Sequence, residues 1–360
     1  MSSGTSTTVA VVGGGVIGLS CAWRAASAGF TVTVHDPAPG SGASHVAGGM
    51  LAPVTEATPA EPAALALGVA ALRRWPDFAA ELTTAGADPG LRTRGTLVVA
   101  LDPGDRAELD RLAEQLSRLG RAVDVLSGQQ VRAAEPSLGP QVSRALSVLG
   151  DLSVDNRALL AALLLACRGV GVRFHRQRCA QLPSADVVVV AAGAHSAALH
   201  PALASVIRPV KGEILRLRCR PGTLAPPSRT VRAIVGGRSC YLVPRHGGRL
   251  VLGATQREVG FDTDVTAGAV RELLTDAERV LPVIGEYTLE ETAAGLRPGS
   301  PDNLPVIGEL EPGVLAATGH HRHGILLAPL TAEVILALLR GEPGPVEAGP
   351  ATPARLRCAL

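Results

Sequence analysis

A glycine-rich segment near the start of the chain constrains the fold more than any other feature. In chain order it contains an apolar strand, Thr8–Val12, the spacing Gly13-x-Gly15-x-x-Gly18, a helical pattern, Val16–Ala28, and an alternating strand, Thr31–His35. The first glycine permits a tight turn, the second lets the backbone approach a pyrophosphate at a helix N-terminus, and the third lets helix and strand pack closely. Asp36 follows the second strand and is placed to accept hydrogen bonds from ribose hydroxyls. The pattern predicts a βαβ unit that binds a dinucleotide.

The rest of the chain alternates between two kinds of sequence pattern, and its 360 residues suffice for two domains. Strand–helix units indicate an α/β cofactor domain, whereas residues 208–255 contain short strands parted by Gly and Pro clusters, which is typical of an antiparallel sheet. We therefore predict an α/β fold, in which a discontinuous Rossmann-like dinucleotide-binding domain is interrupted by a β-rich substrate domain of antiparallel sheet plus helices. The predicted boundaries are 1–85, 150–208 and 294–345 for the first, 86–149 and 209–293 for the second, and 346–360 for a loose tail.

Helix signals are clear at five further places. Each combines apolar periodicity with a capping residue, an early proline or a preceding glycine. The predicted helices are Pro62–Leu82, Gly104–Leu119 after Asp102, Asn156–Arg168 after Asp155, Ala267–Leu281 after Thr266, and Gly324–Leu339.

Composition excludes several classes of function. The net charge is +2 and only eight residues are aromatic, so the chain lacks the basic excess and the stacking platforms of a nucleic-acid binder. Lys211 is the only lysine, so any Schiff-base chemistry would have to use it. The six cysteines are scattered with no Cys-x-x-Cys pair, which indicates core thiols in a reducing compartment.

Targeting and membrane signals are also missing. Met1–Thr8 has no basic residue, and the most apolar stretches, Ala158–Cys167 and Ile325–Leu339, are too short or too interrupted to span a bilayer. We expect a cytoplasmic protein with no membrane partner; a homo-oligomer is left open.

Two late segments bear on the cofactor. The strand-like run that begins at Asp186 ends in small residues, which would let a later segment pass beside a bound cofactor. Residues 319–324 precede the last helix, whose N-terminus can direct backbone N–H groups at an electronegative site. His320, His321 and His323 have poor spacing for a metal site and no nearby carboxylate pair, so we expect no metal.

Seven segments together resemble a known family. They are Gly13–Gly18, Ser44–Ala52, Val210–Glu213, Cys240–Arg245, Gly253–Thr255, Ala294–Pro298 and Gly319–Pro329. Their order is similar to that of the D-amino-acid oxidase superfamily of FAD-dependent oxidoreductases, and within it to the glycine oxidases of thiamine biosynthesis. The resemblance covers roughly residues 8–340, and it implies non-covalently held FAD and oxidation of the C–N bond of a small amino acid.

The resemblance also implies roles for individual residues. Arg297 and Arg322 fall on substrate positions, and Tyr241 lines the pocket beside them; Tyr241 and Arg297 are the expected catalytic residues. The residues expected along the cofactor are Gly13, Gly15, Val16, Ile17, Gly18, Asp36, Pro37, Ala43, Ser44, Gly48, Gly49 and Met50. Those expected to close over the flavin are His320, His321, Arg322, His323, Gly324, Ile325 and Leu326.

The chemistry of these residues agrees with that implication. An amino-acid oxidase needs a fixed cation for the substrate carboxylate, and an arginine offers a bidentate fork. The implied reaction passes a hydride from glycine, and from sarcosine or small D-amino acids, to flavin N5. Its products are glyoxylate, ammonia and, through O₂, hydrogen peroxide, and its imine would serve thiazole synthesis, with a hand-off to a thiazole synthase.

Alternatives stay open for the residues and for the function. Arg297 and Arg322 could form structural salt bridges, and Tyr241 could serve core packing alone. The chain could instead be a D-amino-acid or N-methyl-amino-acid oxidase or dehydrogenase of the same superfamily, or an FAD-binding scaffold without turnover. Three departures from the family pattern are Asp36 in place of a glutamate, the short segment Arg176–Ala185, and Gln256 at a position that is commonly apolar.

Overall fold

The computed structural model describes residues 7–58, 60–121 and 123–358. Within these ranges the strands are Thr8–Val12 (β1), Thr31–His35 (β2), Met50–Leu51 (β3), Leu91–Arg92 (β4), Thr96–Ala100 (β5), Asp124–Ser127 (β6), Arg144–Val148 (β7), Leu152–Val154 (β8), Arg173–His175 (β9), Val187–Val190 (β10), Arg208–Arg218 (β11), Thr230–Val235 (β12), Arg238–Pro244 (β13), Arg249–Gly253 (β14), Thr288–Gly299 (β15), Val306–Glu311 (β16) and Val314–Thr318 (β17). The α-helices are Val16–Ser27 (α1), Ala43–Val46 (α2), Pro62–Leu72 (α3), Trp75–Thr84 (α4), Pro103–Arg118 (α5), Gly128–Ala134 (α6), Asn156–Gly169 (α7), Pro201–Ala204 (α8), Ala267–Val280 (α9) and Gly324–Leu339 (α10).

The first sheet has six strands in the order β16-β17-β10-β1-β2-β9. All its pairs are parallel except β16 with β17, so the predicted βαβ unit is confirmed. Val9, Val11 and Val34 are buried with the apolar faces of α1, α7 and α10, because parallel strands need cover on both faces. The carboxyl ends of these strands therefore meet at one edge, where a doubly wound sheet offers a crevice.

The second sheet has eight strands in the order β15-β11-β14-β13-β12-β5-β7-β6 and is antiparallel except where β12 meets β5. One face is covered by α9, whose Leu273 and Ala277 join a separate apolar cluster. A two-residue turn, Gly236-Gly237, joins β12 to β13; both glycines have positive φ, as the favoured hairpin turns require. This turn fixes the register in which Arg232 lies opposite Tyr241.

The three predicted helix caps are confirmed. Asp102 accepts a hydrogen bond from the backbone N–H of residue 105, Asp155 accepts from those of residues 157 and 158, and Thr266 accepts from that of residue 269. Each side chain satisfies a backbone donor that has no partner within its own helix.

The structure corrects three expectations. The single helix predicted over Pro62–Leu82 is two helices, α3 and α4, with Pro76 in the first turn of the second. The tail is packed rather than loose over residues 346–351, where Ala348 and Ala351 enter the main core. Among the described residues, His321–Leu339 does have the length and hydropathy of a membrane span, but most of it is buried inside the fold.

The predicted domain boundaries remain predictions. The strands of the first sheet fall in the segments assigned to the cofactor domain. The boundary placed at 293/294, however, lies within β15, one continuous strand of the second sheet. The expectation of no signal peptide concerns Met1–Thr8, of which residues 1–6 lie outside the described ranges.

Candidate active site

One large cavity, of about 1510 Å³, lies between the carboxyl edge of the first sheet and the face of the second sheet that is opposite α9. Its walls come from distant parts of the chain: the glycine turn, the segment 41–50, the small residues 191–194, the second sheet, and residues 318–325. The cavity is therefore assembled where the two sheets meet, and each wall has a distinct local cause.

The glycine turn lines one end of the cavity. Gly13 has φ +111°, and a Cβ built there would lie 2.3 Å from the carbonyl oxygen of Ala191. A Cβ on Gly18 would lie 1.9 Å from the carbonyl oxygen of Gly13, so α1 packs against the turn as predicted. The backbone N–H of Val16, at the start of α1, donates to Ser44 Oγ at 3.1 Å. The turn thus presents backbone and a helix N-terminus to the cavity.

Asp36 sits beside this turn and is tied to the backbone. Its Oδ2 accepts a hydrogen bond from the N–H of Gly14 and its Oδ1 from that of Ala38, both at 2.7 Å. Each carboxylate oxygen keeps a further acceptor site, so the side chain is oriented before any ligand arrives.

The segment 43–50 is held from behind by buried polar side chains. Asn156 donates to the carbonyl oxygens of Ser44 at 2.9 Å and His45 at 2.8 Å. Arg245 is buried and donates through Nη2 to the carbonyl oxygen of Gly48 at 2.7 Å. Burial lowers the pKa of this guanidinium to about 10. These bonds fix the segment that forms one side of the cavity.

Tyr241 projects from β13 against two glycines. A Cβ on Gly48 would lie 2.8 Å from its Cε2, and one on Gly253 would lie 2.3 Å from its hydroxyl oxygen. Burial raises the pKa of the phenol, which stays protonated and able to donate. Tyr241 therefore fills the space between segment 43–50 and the second sheet and faces the cavity.

Arg297 extends from β15 across its neighbour β11. A Cβ on Gly212 would lie 2.2 Å from its Nη1, so the guanidinium passes directly over that glycine. Nη1 donates to the carbonyl oxygen of Thr255 at 3.3 Å. No carboxylate of the described residues lies within 4.0 Å of this guanidinium, which lines the cavity. The remaining N–H groups are available to an anion.

Arg322 has a different environment. Its Nη2 is 3.1 Å from Glu61 Oε2, and the same nitrogen donates to the carbonyl oxygen of Glu56 at 3.4 Å. Arg322 lines the cavity, but its charge is already matched by Glu61. The salt-bridge alternative considered from the sequence therefore describes Arg322 better than Arg297.

The three histidines before α10 all have lowered pKa values. Burial lowers the pKa of His320 to about 3, and its Nε2 lies 2.9 Å from Thr331 Oγ1. Burial and the neighbouring Arg322 lower the pKa of His321 to about 4. His323 lies 3.5 Å from Glu56, yet burial still lowers its pKa. All three rings are neutral near pH 7, and no group of three or more His, Cys, Asp or Glu side chains in the described ranges could hold a metal ion.

The residues present fit a flavin dinucleotide. Glycines at 13 and 15 leave room that side chains would fill, the start of α1 faces the cavity, and segment 43–50 and residues 320–325 flank its other end. The sequence matches the family model described as FAD dependent oxidoreductase over residues 8–338. The chain belongs to this family. Its cofactor is FAD, as predicted from the sequence.

Two sequence relatives of this oxidoreductase cover nearly all of it. A Rhizobium etli protein, provisionally named thiamine biosynthesis oxidoreductase ThiO, is 36% identical over 94% of this chain and 98% of its own length. The bifunctional protein ThiO/ThiG of Synechocystis sp. is 32% identical over 93% of this chain and 52% of its own length. This oxidoreductase therefore corresponds to about half of the bifunctional protein.

Two solved structures share the whole fold. Glycine oxidase from Geobacillus kaustophilus matches with a TM-score of 0.88 and 30% identity, over 96% of this chain and 98% of that one. Iminodiacetate oxidase from Chelativorans sp. matches with a TM-score of 0.85 and 26% identity over the same shares. The relatives support FAD-dependent amine oxidation, and the predicted fold class is confirmed.

The structure brings most of the predicted site residues of this oxidoreductase to the cavity. Those that line it are Gly13, Gly15, Val16, Ile17, Asp36, Pro37, Ala43, Ser44, Gly48, Gly49, Met50, Tyr241, Arg297, His320, His321, Arg322, Gly324 and Ile325, and Gln256 joins them. Gly18 packs behind the turn, His323 faces Glu56, and Leu326 is buried in the core. The roles of these residues in binding remain predictions.

Sequence reasoning missed several charged residues that line the cavity, two of which form an ion pair. Glu56 Oε1 lies 3.7 Å from Arg232 Nη2, and both side chains are largely buried. Burial alone would raise the pKa of Glu56, but Arg232, His323, Arg322 and Arg297 outweigh it and hold the pKa below its ordinary value. The only sequence signal was a charge in each of two otherwise uncharged stretches, which does not identify a partner.

Proposed function

We propose that this protein is an FAD-dependent oxidase of glycine and of close analogues such as sarcosine. The observation that carries the proposal is the unpaired guanidinium of Arg297 in the cavity, at the edge that faces segment 43–50 and Tyr241. A fork of N–H donors with no carboxylate partner among the described side chains is suited to a substrate carboxylate. A scaffold that only binds FAD has no use for such a cation.

The chain's own residues would divide the work as follows. Arg297 would bind the carboxylate, and the protonated Tyr241 would donate a hydrogen bond to it or to the amine. Gly48 and Gly253 allow Tyr241 to lie close, which keeps the space around Cα small and dry. When bound, FAD would supply the acceptor for two electrons and a proton from the substrate, with O₂ as the final oxidant. The overall reaction consumes glycine, O₂ and water and gives glyoxylate, ammonia and hydrogen peroxide.

The cofactor would extend along the glycine turn. Gly13 and Gly15 would face the pyrophosphate with the start of α1, and Asp36 would bind the ribose. Gly48, Gly49 and Met50, with His320 to Ile325, would flank the isoalloxazine ring. A cytoplasmic location and a role in thiamine biosynthesis are part of the proposal. The name of the Rhizobium relative supports that role, and the bifunctional ThiO/ThiG protein supports a hand-off of the imine to a partner enzyme.

A spectrum of the purified holoenzyme tests the proposal. We expect glycine, added without oxygen, to bleach the visible absorbance of the flavin, and oxygen to restore it with release of hydrogen peroxide. Bleaching by D-alanine and not by glycine would favour the D-amino-acid oxidase alternative. If no small amine bleaches the flavin, the remaining alternative is an FAD-binding scaffold without turnover.

A further inference from the structure

Arg232 and Glu56 form an ion pair in the wall of the cavity. Arg232 lies on β12 directly opposite Tyr241 on β13, so both side chains leave the same face of the second sheet. Glu56 reaches the same wall from the segment that follows β3. The exposed fractions of the two side chains are 17% and 9%. Glu56 interacts electrostatically with both Arg297 and Tyr241, so the pair lies near the proposed substrate position.

The charges along this wall are nearly balanced. Arg322 is matched by Glu61 and Arg232 by Glu56, whereas Arg297 has no carboxylate within 4.0 Å among the described residues. Glu56 stays ionised because the surrounding arginines hold its pKa low. One positive charge is thus left over, which suits a substrate with one carboxylate.

The hydrogen-bond donors of Arg232 are not all satisfied by the described part of the protein. Its Nη1 donates to the carbonyl oxygen of Thr55, but its buried Nε has no hydrogen-bond partner within the described part of the chain. Its separation from Glu56, 3.7 Å, is that of an ion pair and is too long for a good hydrogen bond. Glu56 therefore cancels the charge of Arg232 without saturating its donors.

We propose that Glu56, by neutralising Arg232, is the specificity determinant that restricts this enzyme to substrates with a single carboxylate. The inference rests on the proposed function and names the substrate class of the same site. The same fold occurs in an iminodiacetate oxidase, whose named substrate carries two carboxylates. The choice between one and two carboxylates must then be made by side chains and not by the fold.

The test uses the holoenzyme with Glu56→Gln. Glutamine keeps the size and the polarity of Glu56 but leaves Arg232 as a second unmatched cation. We expect the ratio of kcat/KM for iminodiacetate to that for glycine to rise at least about tenfold, since one close charge pair is worth that much or more. Succinate should likewise gain affinity relative to acetate, measured by the perturbation of the flavin spectrum without turnover.

Two further variants serve as controls. Adding Arg232→Gln to Glu56→Gln removes the second cation, so both ratios should return towards those of the wild type. Glu135→Gln breaks a buried ion pair of similar geometry, in which Glu135 Oε1 is 3.8 Å from Arg229 Nε, outside the residues that line the cavity. It should leave both ratios unchanged.

Unchanged ratios in a Glu56→Gln enzyme that retains FAD would overturn the proposal. If that variant fails to fold, Arg232→Gln provides the test. It leaves the carboxylate of Glu56 without its partner beside Arg297, so acetate should bind several-fold more weakly than to the wild type. Unaltered acetate binding would refute the inference. If the wild-type enzyme does not oxidise glycine, the proposed function fails. The inference about Glu56 is still tested in that case, because the affinities for succinate and acetate depend on the ion pair and not on turnover.

Discussion

The guanidinium of Arg297 lies over the backbone of Gly212, on the neighbouring strand. A Cβ at position 212 would come within 2.2 Å of Nη1 and 2.5 Å of Cζ. In the ladder between β11 and β15, Gly212 pairs with Gly295, two residues before Arg297. The arginine can cross to the cavity only because position 212 has no side chain.

Replacing Gly212 with alanine should therefore displace Arg297 while the cofactor site stays intact. We expect KM for glycine to rise at least about tenfold, because a displacement of about 1 Å can cost far more in a well-oriented site. The measurement is steady-state oxygen consumption, with FAD content from the absorbance spectrum. Gly150→Ala is the matched control, since a Cβ there meets nothing within 4 Å. Equal kinetics in the two variants would mean that Arg297 does not contact substrate.

Direct removal of the guanidinium tests the same contact by a second route. Arg297→Ala should cost about 2–5 kcal/mol in kcat/KM for glycine, the range for truncating one partner of a buried charge pair. Arg297→Lys should recover only part, since a lysine keeps the charge and loses the fork. Acetate affinity, followed by the flavin spectrum, should fall in parallel. A variant that binds acetate as the wild type does would remove Arg297 from the site.

The glycine turn should be intolerant of any side chain. In Gly13→Ala the new Cβ would meet the carbonyl oxygen of Ala191 at 2.3 Å, in a backbone conformation with φ +111°. We expect loss of FAD from the purified protein and a lower melting temperature. Gly171→Ala places the same side chain at φ +81° with nothing within 4 Å. It should cost only about 1 kcal/mol of backbone strain and retain FAD; loss of FAD from both variants would show that general destabilisation is responsible.

Asp151 should make stability depend on pH. Its Oδ2 accepts a hydrogen bond from Thr55 Oγ1 at 2.7 Å, but its Oδ1 is buried without a partner among the described residues. Burial raises the pKa of this carboxyl to about 7. Between about pH 4, near the ordinary pKa of an aspartate, and pH 7 the unfolded chain releases this proton while the folded chain keeps it. Stability from this group is full at low pH and is lost as the pH rises through that window.

Asp151→Asn cannot ionise and should escape that loss. We expect its melting temperature to gain on that of the wild type as the pH rises from 4 to 8 or thereabouts, measured on the holoenzyme by thermal denaturation. The pKa of about 3 for His320 gives a slope of opposite sign, but it is present in both proteins and cancels in the difference. A constant difference across the pH range would contradict a raised pKa at Asp151.

The parts of the site that could be predicted from the sequence are those with a local cause. The turn at Gly13 to Gly18 follows from backbone sterics within one βαβ unit, and the structure confirms its packing. The apolar neighbours of Arg297 made an unpaired arginine costly unless it had a functional partner, and the structure places it at the cavity.

The parts that could not be predicted depend on pairing between distant residues. Glu56 meets Arg232 across 176 positions, and Glu61 meets Arg322 across 261. No periodicity reports such a meeting, because it arises only when distant segments of the chain pack against one another. The break between α3 and α4 was different: Pro76 stands in the first turn of α4, a signal that the sequence contained.

The Gly236-Gly237 turn has a consequence for how this wall of the cavity can change. In β12 and β13 alternate side chains point to opposite faces, so a one-residue insertion that shifts the pairing would place Arg232 and Tyr241 on opposite faces, and only one of them could still face the cavity. The two residues are coupled by register even though neither needs to touch the other. This wall of the cavity can therefore change by substitution but not by insertion. Related enzymes with other substrates should keep the length of this hairpin and differ in the residues along it.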